Sequence, residues 1–281
     1  MKLPLLRFPG ALWRQRELLG QLSWREVQGR YRGSMLGWGW SLFTPLLMLA
    51  VYTFVFSQVF QARWGDLQQS GPLMFAINLF AGLIVFNLFS ETANQAPTLM
   101  LENANLVTKV IFPLEILPAV TVAAASFHAL TSVVVLVAFQ LLNGLLSSSA
   151  YGLVSHGIPV TFLWLPLVWL PMVCGCLALG WLLSALGVYL RDLGQVSSVV
   201  VNLMMFLSAV FYPLSALPPQ WQPLLRLNPL VLVIEQTRQV AVNGLPPSIS
   251  YLVWGCLLGL LVCELAFRSF QKARRGFADV L

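Results

Sequence analysis

Three lysines, one histidine deep in an apolar run, ten carboxylates and four cysteines are the groups through which this chain of 281 residues could act chemically. Lys2, Lys109 and Lys272 all stand outside any G-x-x-x-x-G-K-[ST] sequence, the loop whose backbone N–H groups and lysine cradle nucleotide phosphates. If ATP drives this protein, another chain must bind it. Ion-coupled transport keeps costly carboxylates or histidines near the middle of the membrane. Here Glu91, Glu102, Glu115, Asp192 and Glu264 fall near the ends of apolar runs, Glu235 lies in a proline-rich stretch, and His128 is the ionisable side chain deep in a run. A lone histidine there is expected to hydrogen-bond a neighbouring helix rather than relay protons. Hydrolysis or group transfer would need a nucleophile or an acid–base pair converging on one pocket. Arg191 and Asp192 are adjacent in a short turn and read as a helix-end charge pair, so no catalytic residues are expected. Cys174, Cys176, Cys256 and Cys263 lie inside apolar runs without C-x-x-C spacing. They read as small apolar side chains, and no metal site is expected.

The elements that carry these groups are set by composition. Hydrophobic side chains make up 58% of the chain and charged ones 9%, against about 25% charged in a soluble domain. A helix needs about 20 apolar residues to cross a bilayer core. The fold class expected is all-α and membrane-embedded, with six spans: about Met35–Phe60, Leu73–Ser90, Leu114–Leu142, Thr161–Leu190, Val196–Phe211 and Tyr251–Phe267. This scheme puts thirteen of the sixteen Lys and Arg residues on one side and leaves Arg63, Arg226 and Arg238 on the other. By the positive-inside bias both termini are then cytoplasmic. The net charge of +6 therefore sets topology and does not point to nucleic acid.

The polar flank ahead of the first run contains Ser23-Trp24-Arg25-Glu26, which reads as a capping box starting a helix. On that helix Trp24, Val27 and Tyr31 share a face, and Arg25, Arg30 and Arg32 project elsewhere. The pattern suits either an amphipathic helix lying in the membrane interface or an ordinary basic flank. The flank is too long and polar for a cleavable signal peptide. Residues 212–247 hold seven prolines, and the apolar piece Leu230–Ile234 is too short to cross. Asn228-Pro229 is a cap followed by a first-turn proline. Short re-entrant helices in the outer leaflet are expected there, where protein or water must satisfy broken backbone. The chain thus divides into a cytoplasmic segment 1–33, a membrane domain 34–267 and a cytoplasmic tail 268–281.

Several short stretches resemble one known family. Arg30-Tyr31-Arg32-Gly33-Ser34-Met35-Leu36-Gly37 leading to Trp40 and Pro45 is similar to its lead-in to the first span, and Leu106-Val107-Thr108-Lys109-Val110-Ile111-Phe112-Pro113 to its link between the second and third. Tyr189-Leu190-Arg191-Asp192-Leu193, Phe211-Tyr212-Pro213 and Leu227-Asn228-Pro229-Leu230 are similar to its second half. Matching in order over nearly the whole chain, they resemble the permease subunits of ABC polysaccharide exporters for O-antigen, capsule and teichoic acid, within the type-two ABC export permeases.

The resemblance implies a homodimer in the bacterial inner membrane with a channel at its interface, and two copies of a separate ATPase that binds ATP and magnesium. The cargo it implies is a lipid-linked polysaccharide; the alternative is an ABC exporter permease for another lipid or a drug. A non-transporting scaffold or enzyme is the remaining reading. ATPase contacts implied for Trp24–Arg32 and for about Asn94–Phe112 nominate Trp24, Arg25, Arg30, Arg32, Glu102, Asn103 and Lys109 as coupling residues, against a solvated connection. Trp38, Trp40, Tyr52, Phe56 and Tyr212 could line a sugar path or serve as an aromatic belt, packing and anchoring at membrane interfaces.

Overall fold

Apolar runs with few charges satisfy their backbone internally only as helices, and prolines and short polar links mark where those helices begin and stop. The computed structural model describes residues 6–55, 72–108, 112–151 and 158–280, and no strand occurs among them. Helices α1 (Phe8–Arg14) and α2 (Arg16–Tyr31) precede α3 (Trp40–Thr53). Next comes α4 (Pro72–Gln95), then the short α5 (Leu99–Glu102) and α6 (Ala104–Thr108), and the 36-residue α7 (Ile116–Tyr151). The second half comprises α8 (Leu165–Tyr189), α9 (Leu193–Leu207), α10 (Gln222–Arg226), α11 (Pro229–Ala241), α12 (Ile249–Ala273) and α13 (Phe277–Val280). Among the described residues four helices, α4, α7, α8 and α12, are long and apolar enough to cross a membrane. They fall on the second, third, fourth and sixth expected runs.

Two expected boundaries need correction. No helix begins at Ser23: α2 starts at Arg16 and runs through Ser23, whose hydroxyl is buried without a partner. Serine three residues ahead of glutamate is also a common mid-helix spacing, and Arg16-Glu17-Leu18-Leu19 are strong helix formers that carry the start upstream. The fifth run stops at Leu207, short of Phe211, because Ala209 turns into the left-handed region (φ 53°). Asn228, by contrast, caps α11 as expected, its Oδ1 accepting the Leu230 N–H at 3.0 Å.

Helix α4 is the centre of the bundle, packing on α3, α7, α8, α9 and α11. Buried residues make up 72% of its apolar window but 17% of that of α12, which faces outward. The tightest pair is α8 with α12. In lipid there is no hydrophobic force between helices, so close approach through small residues replaces it. A Cβ on Gly255 would lie 3.2 Å from Pro171 Cγ, and one on Gly259 3.4 Å from Cys174 Cβ. At the end where α4 finishes, Gly187 of α8 meets the link: a Cβ there would run into the carbonyl of Pro97.

Helix α11 is fixed on every side by buried polar contacts. Arg238, 4% exposed, donates from Nε to the Asn78 carbonyl (2.9 Å), from Nη1 to Ala209 (2.9 Å) and from Nη2 to Val210 (2.6 Å). The carbonyls freed where α9 breaks are thereby satisfied without water. Gly82 makes room, since a Cβ there would sit 2.6 Å from Arg238 Nη2. Trp169 Nε1 donates to Thr237 Oγ1 (3.1 Å), and Gln140 Nε2 to the Ala241 carbonyl (2.5 Å).

Candidate functional site

Helix α2 buries one face against α7, and that face is the one its sequence marks. Val27 is 2% exposed, Trp24 stacks edge-on against Phe127 (6.4 Å between centroids), and Tyr31 against His128 (6.1 Å). Arg30 does not project away with Arg25 and Arg32. Its Nη2 lies 2.5 Å from Glu91 Oε1 of α4, and its Nη1 lies 3.2 Å from His128 Nδ1. His128 Nδ1 is 3.2 Å from both Glu91 oxygens, so three helices meet in an Arg30–Glu91–His128 cluster. His128 thus hydrogen-bonds a neighbouring helix. Burial pushes the Tyr31 phenol above its ordinary range; adjacent Arg30 partly offsets this, and Glu91 adds to it. The cluster borders a cavity of about 420 Å³ lined with hydroxyl and amide groups, among them Ser41, Thr44, Asn87 and Ser132.

A second, larger concavity of about 860 Å³ separates α2 from the link. Arg25, Glu26, Arg32 and Asn103 line it together with Trp38, Leu22 and Leu106, a charged rim of two arginines and one glutamate over apolar side chains. Of the residues nominated for ATPase coupling, the fold therefore brings Arg25, Arg32 and Asn103 to one groove. Glu102 is exposed on the link beside it. Trp24 and Arg30 are instead used in packing α2 onto the bundle. Lys109 lies outside the described residues.

The nominated aromatics separate in the same way. Trp38 sits 5.2 Å from the Trp24 ring and 5.8 Å from Phe127, a packing cluster where the chain enters α3. Trp40 meets Phe43 at 5.4 Å and borders the polar cavity. Tyr52 meets Phe211 at 5.9 Å, and Tyr212 donates its hydroxyl to the Phe206 carbonyl at 2.7 Å, so α3 and the end of α9 share an aromatic cluster. Phe56 lies outside the described residues. One feature escaped the sequence reading. Gln195, Ser198 and Asn202 are exposed at spacing i, i+3, i+7 on α9, flanking the face that buries Ser197 and Val201. A polar stripe exposed along an apolar helix is uneconomic against lipid, and its periodicity was the available signal.

Apolar helices of spanning length, two of them joined to α2 by a polar cluster, mark a multi-pass membrane protein. Residues 17–242 match the ABC-2 type transporter family, and the chain belongs to it. Over nearly full length it is similar to the O-antigen export system permease protein RfbA of Myxococcus xanthus (29% identical, 98% of this chain and 99% of the relative). It is likewise similar to the protein of that name from Klebsiella pneumoniae (24%, 94% and 95%) and to the polysialic acid transport protein KpsM of Escherichia coli (23%, 92% and 95%). The chain is thus a multi-pass membrane permease, not an enzyme, in a system whose ATPase partner uses ATP.

Proposed function

We propose that this chain exports lipid-linked polysaccharide across the bacterial inner membrane, as a homodimer served by two copies of the ATPase. The observation that carries this reading is that relatives similar over 92% or more of the chain, in three organisms, are O-antigen export system permeases and a polysialic acid transport protein. In this reading the chain crosses six times, α3 lying in the first crossing and α9, completed by the chain up to Phe211, in the fifth, and residues 212–247 dip into the outer leaflet and return. Both termini and the link face the cytoplasm, in keeping with the charge bias. The groove holding Arg25, Arg32 and Asn103 then opens toward the ATPase. The stripe Gln195, Ser198 and Asn202 faces the second copy or the water-filled path, because lipid would leave those groups unpaired. Tyr52 and Tyr212 stand beside that path.

The test is deletion of the gene followed by analysis of lipid-linked glycans. Completed polymer should accumulate at the cytoplasmic face and disappear from the surface, with return on expression of the wild-type chain. Normal surface glycan in the deletion strain, with a changed lipid or drug profile instead, would assign the cargo to the alternative class.

A further inference from the structure

We propose that Arg274–Val280 is a strut that positions the described parts of the connection between α4 and α7, residues 96–108 and 112–115, with Arg274 and Phe277 as positioning residues for transmission between ATPase and membrane helices. This rests on the reading of the link as the coupling segment. The contacts come from two independent directions. Arg274 Nη1 pairs with Glu115 Oε2 at 2.5 Å, just ahead of α7, and the Glu115 carbonyl accepts Trp181 Nε1 of α8 at 2.9 Å. Phe277 is fully buried, its ring 5.7 Å from Phe270 of α12 and 6.2 Å from Tyr189 at the end of α8. The Tyr189 hydroxyl donates to the Ala273 carbonyl at 3.2 Å, and α13 packs on α6, within the link itself.

The physical consequence is a change in how a push on the link travels. A link held only at its two covalent ends could absorb a displacement by bending between α4 and α7. Here its far end is paired to Arg274, α6 rests on α13, and its near end is wedged against Gly187. Displacing it therefore drags α8 and α12, the pair with the most extensive contact among the described helices. The strut makes link, α8 and α12 move as one body, and without it ATP hydrolysis would proceed with less of the motion delivered.

The experiment uses the complete complex of this chain with its ATPase in proteoliposomes, reading ATP hydrolysis, co-purification and polymer export together. Arg274→Glu and Glu115→Arg are each expected to lower export several-fold per ATP hydrolysed while the ATPase still co-purifies. The double exchange restores the pairing and should recover most of the wild-type ratio. Phe277→Ala should act like Arg274→Glu, and Phe277→Leu, which keeps the apolar bulk, should act less. Wild-type coupling in both single charge variants, or a double exchange that recovers nothing, overturns the strut. Glu102→Lys, exposed on the link and away from the tail contacts, tests the underlying reading alone. If it leaves ATPase binding and coupling intact, the link is not the docking segment and the coupling reading fails separately from the strut.

Discussion

Glu91 joins two partners that the sequence places 61 and 37 positions away, and its loss separates three helices at once. The side chains of Arg30 and Glu91 are 30% and 17% exposed, so Coulomb attraction there is only partly screened. Glu91→Gln keeps the shape but leaves Arg30 without its counter-charge. A charged hydrogen bond of this kind is worth about 1.5–3 kcal/mol. The expected outcome is a lower unfolding temperature in detergent and easier proteolysis of α2, with α8 and α12 unaffected. Unchanged protease sensitivity of α2 would mean that its aromatic face alone holds it. At this scale the sequence was legible by elimination: one histidine deep in a run is conspicuous, and a hydrogen bond to another helix is its cheapest solution. Which helix was not legible, because the pairing of Glu91 with His128 is a product of α4 and α7 packing. Nor was the inward turn of Arg30 anticipated, although its i, i+3 spacing from buried Val27 sets it at the edge of the packed face and away from Arg25 and Arg32.

Helices differ in how firmly their sequences mark them. Apolar length alone located α4, α7, α8 and α12 to within a few residues at most ends, apart from the longer run of α7. Helix α9 is different: its 15 residues reach about 22 Å, short of a hydrocarbon core of about 30 Å. What ends it is the left-handed turn at Ala209 held by Arg238 from a helix about thirty residues later, which no local signal encodes. The link is likewise defined by contact, through Gly187. Gly187→Ala should displace Pro97 and with it the link, at a cost of about 1–3 kcal/mol for overpacking. Thermal unfolding of the purified variant would read the loss. Gly175→Ala, with open space around the new methyl group, is the control expected to behave as wild type. A neutral Gly187→Ala would show that α8 and the link can part without cost.

For the molecule as a whole, the six-span scheme, which puts thirteen basic residues on one side and three on the other, makes a prediction about sidedness. A cysteine introduced at Gln220, exposed beside α10, should react with a membrane-impermeant maleimide from outside intact cells. One at Glu102 should react only after permeabilisation. The opposite pattern would invert the topology and remove the groove beside α2 from the ATPase side. Charge distribution was legible here because it is a property of the whole chain and does not depend on knowing which helices touch.

One contact couples the first described helix to the last long one. Glu264 of α12 accepts the backbone N–H of Arg7 at 2.7 Å and of Phe8 at 3.2 Å while pairing with Arg268 at 2.6 Å, so α1 takes its N-terminal cap from a residue more than 250 positions away. Seen from the ribosome, the order of events is fixed. Phe8 and its neighbours are made long before α12, and they wait with those donors unclaimed by Glu264 until α12 has been synthesised and inserted. Only then does α1 settle, with Phe8 against Trp181 and Trp181 against Phe267. The first turn of α1 is therefore finished only after α12, although it is made more than 250 residues earlier.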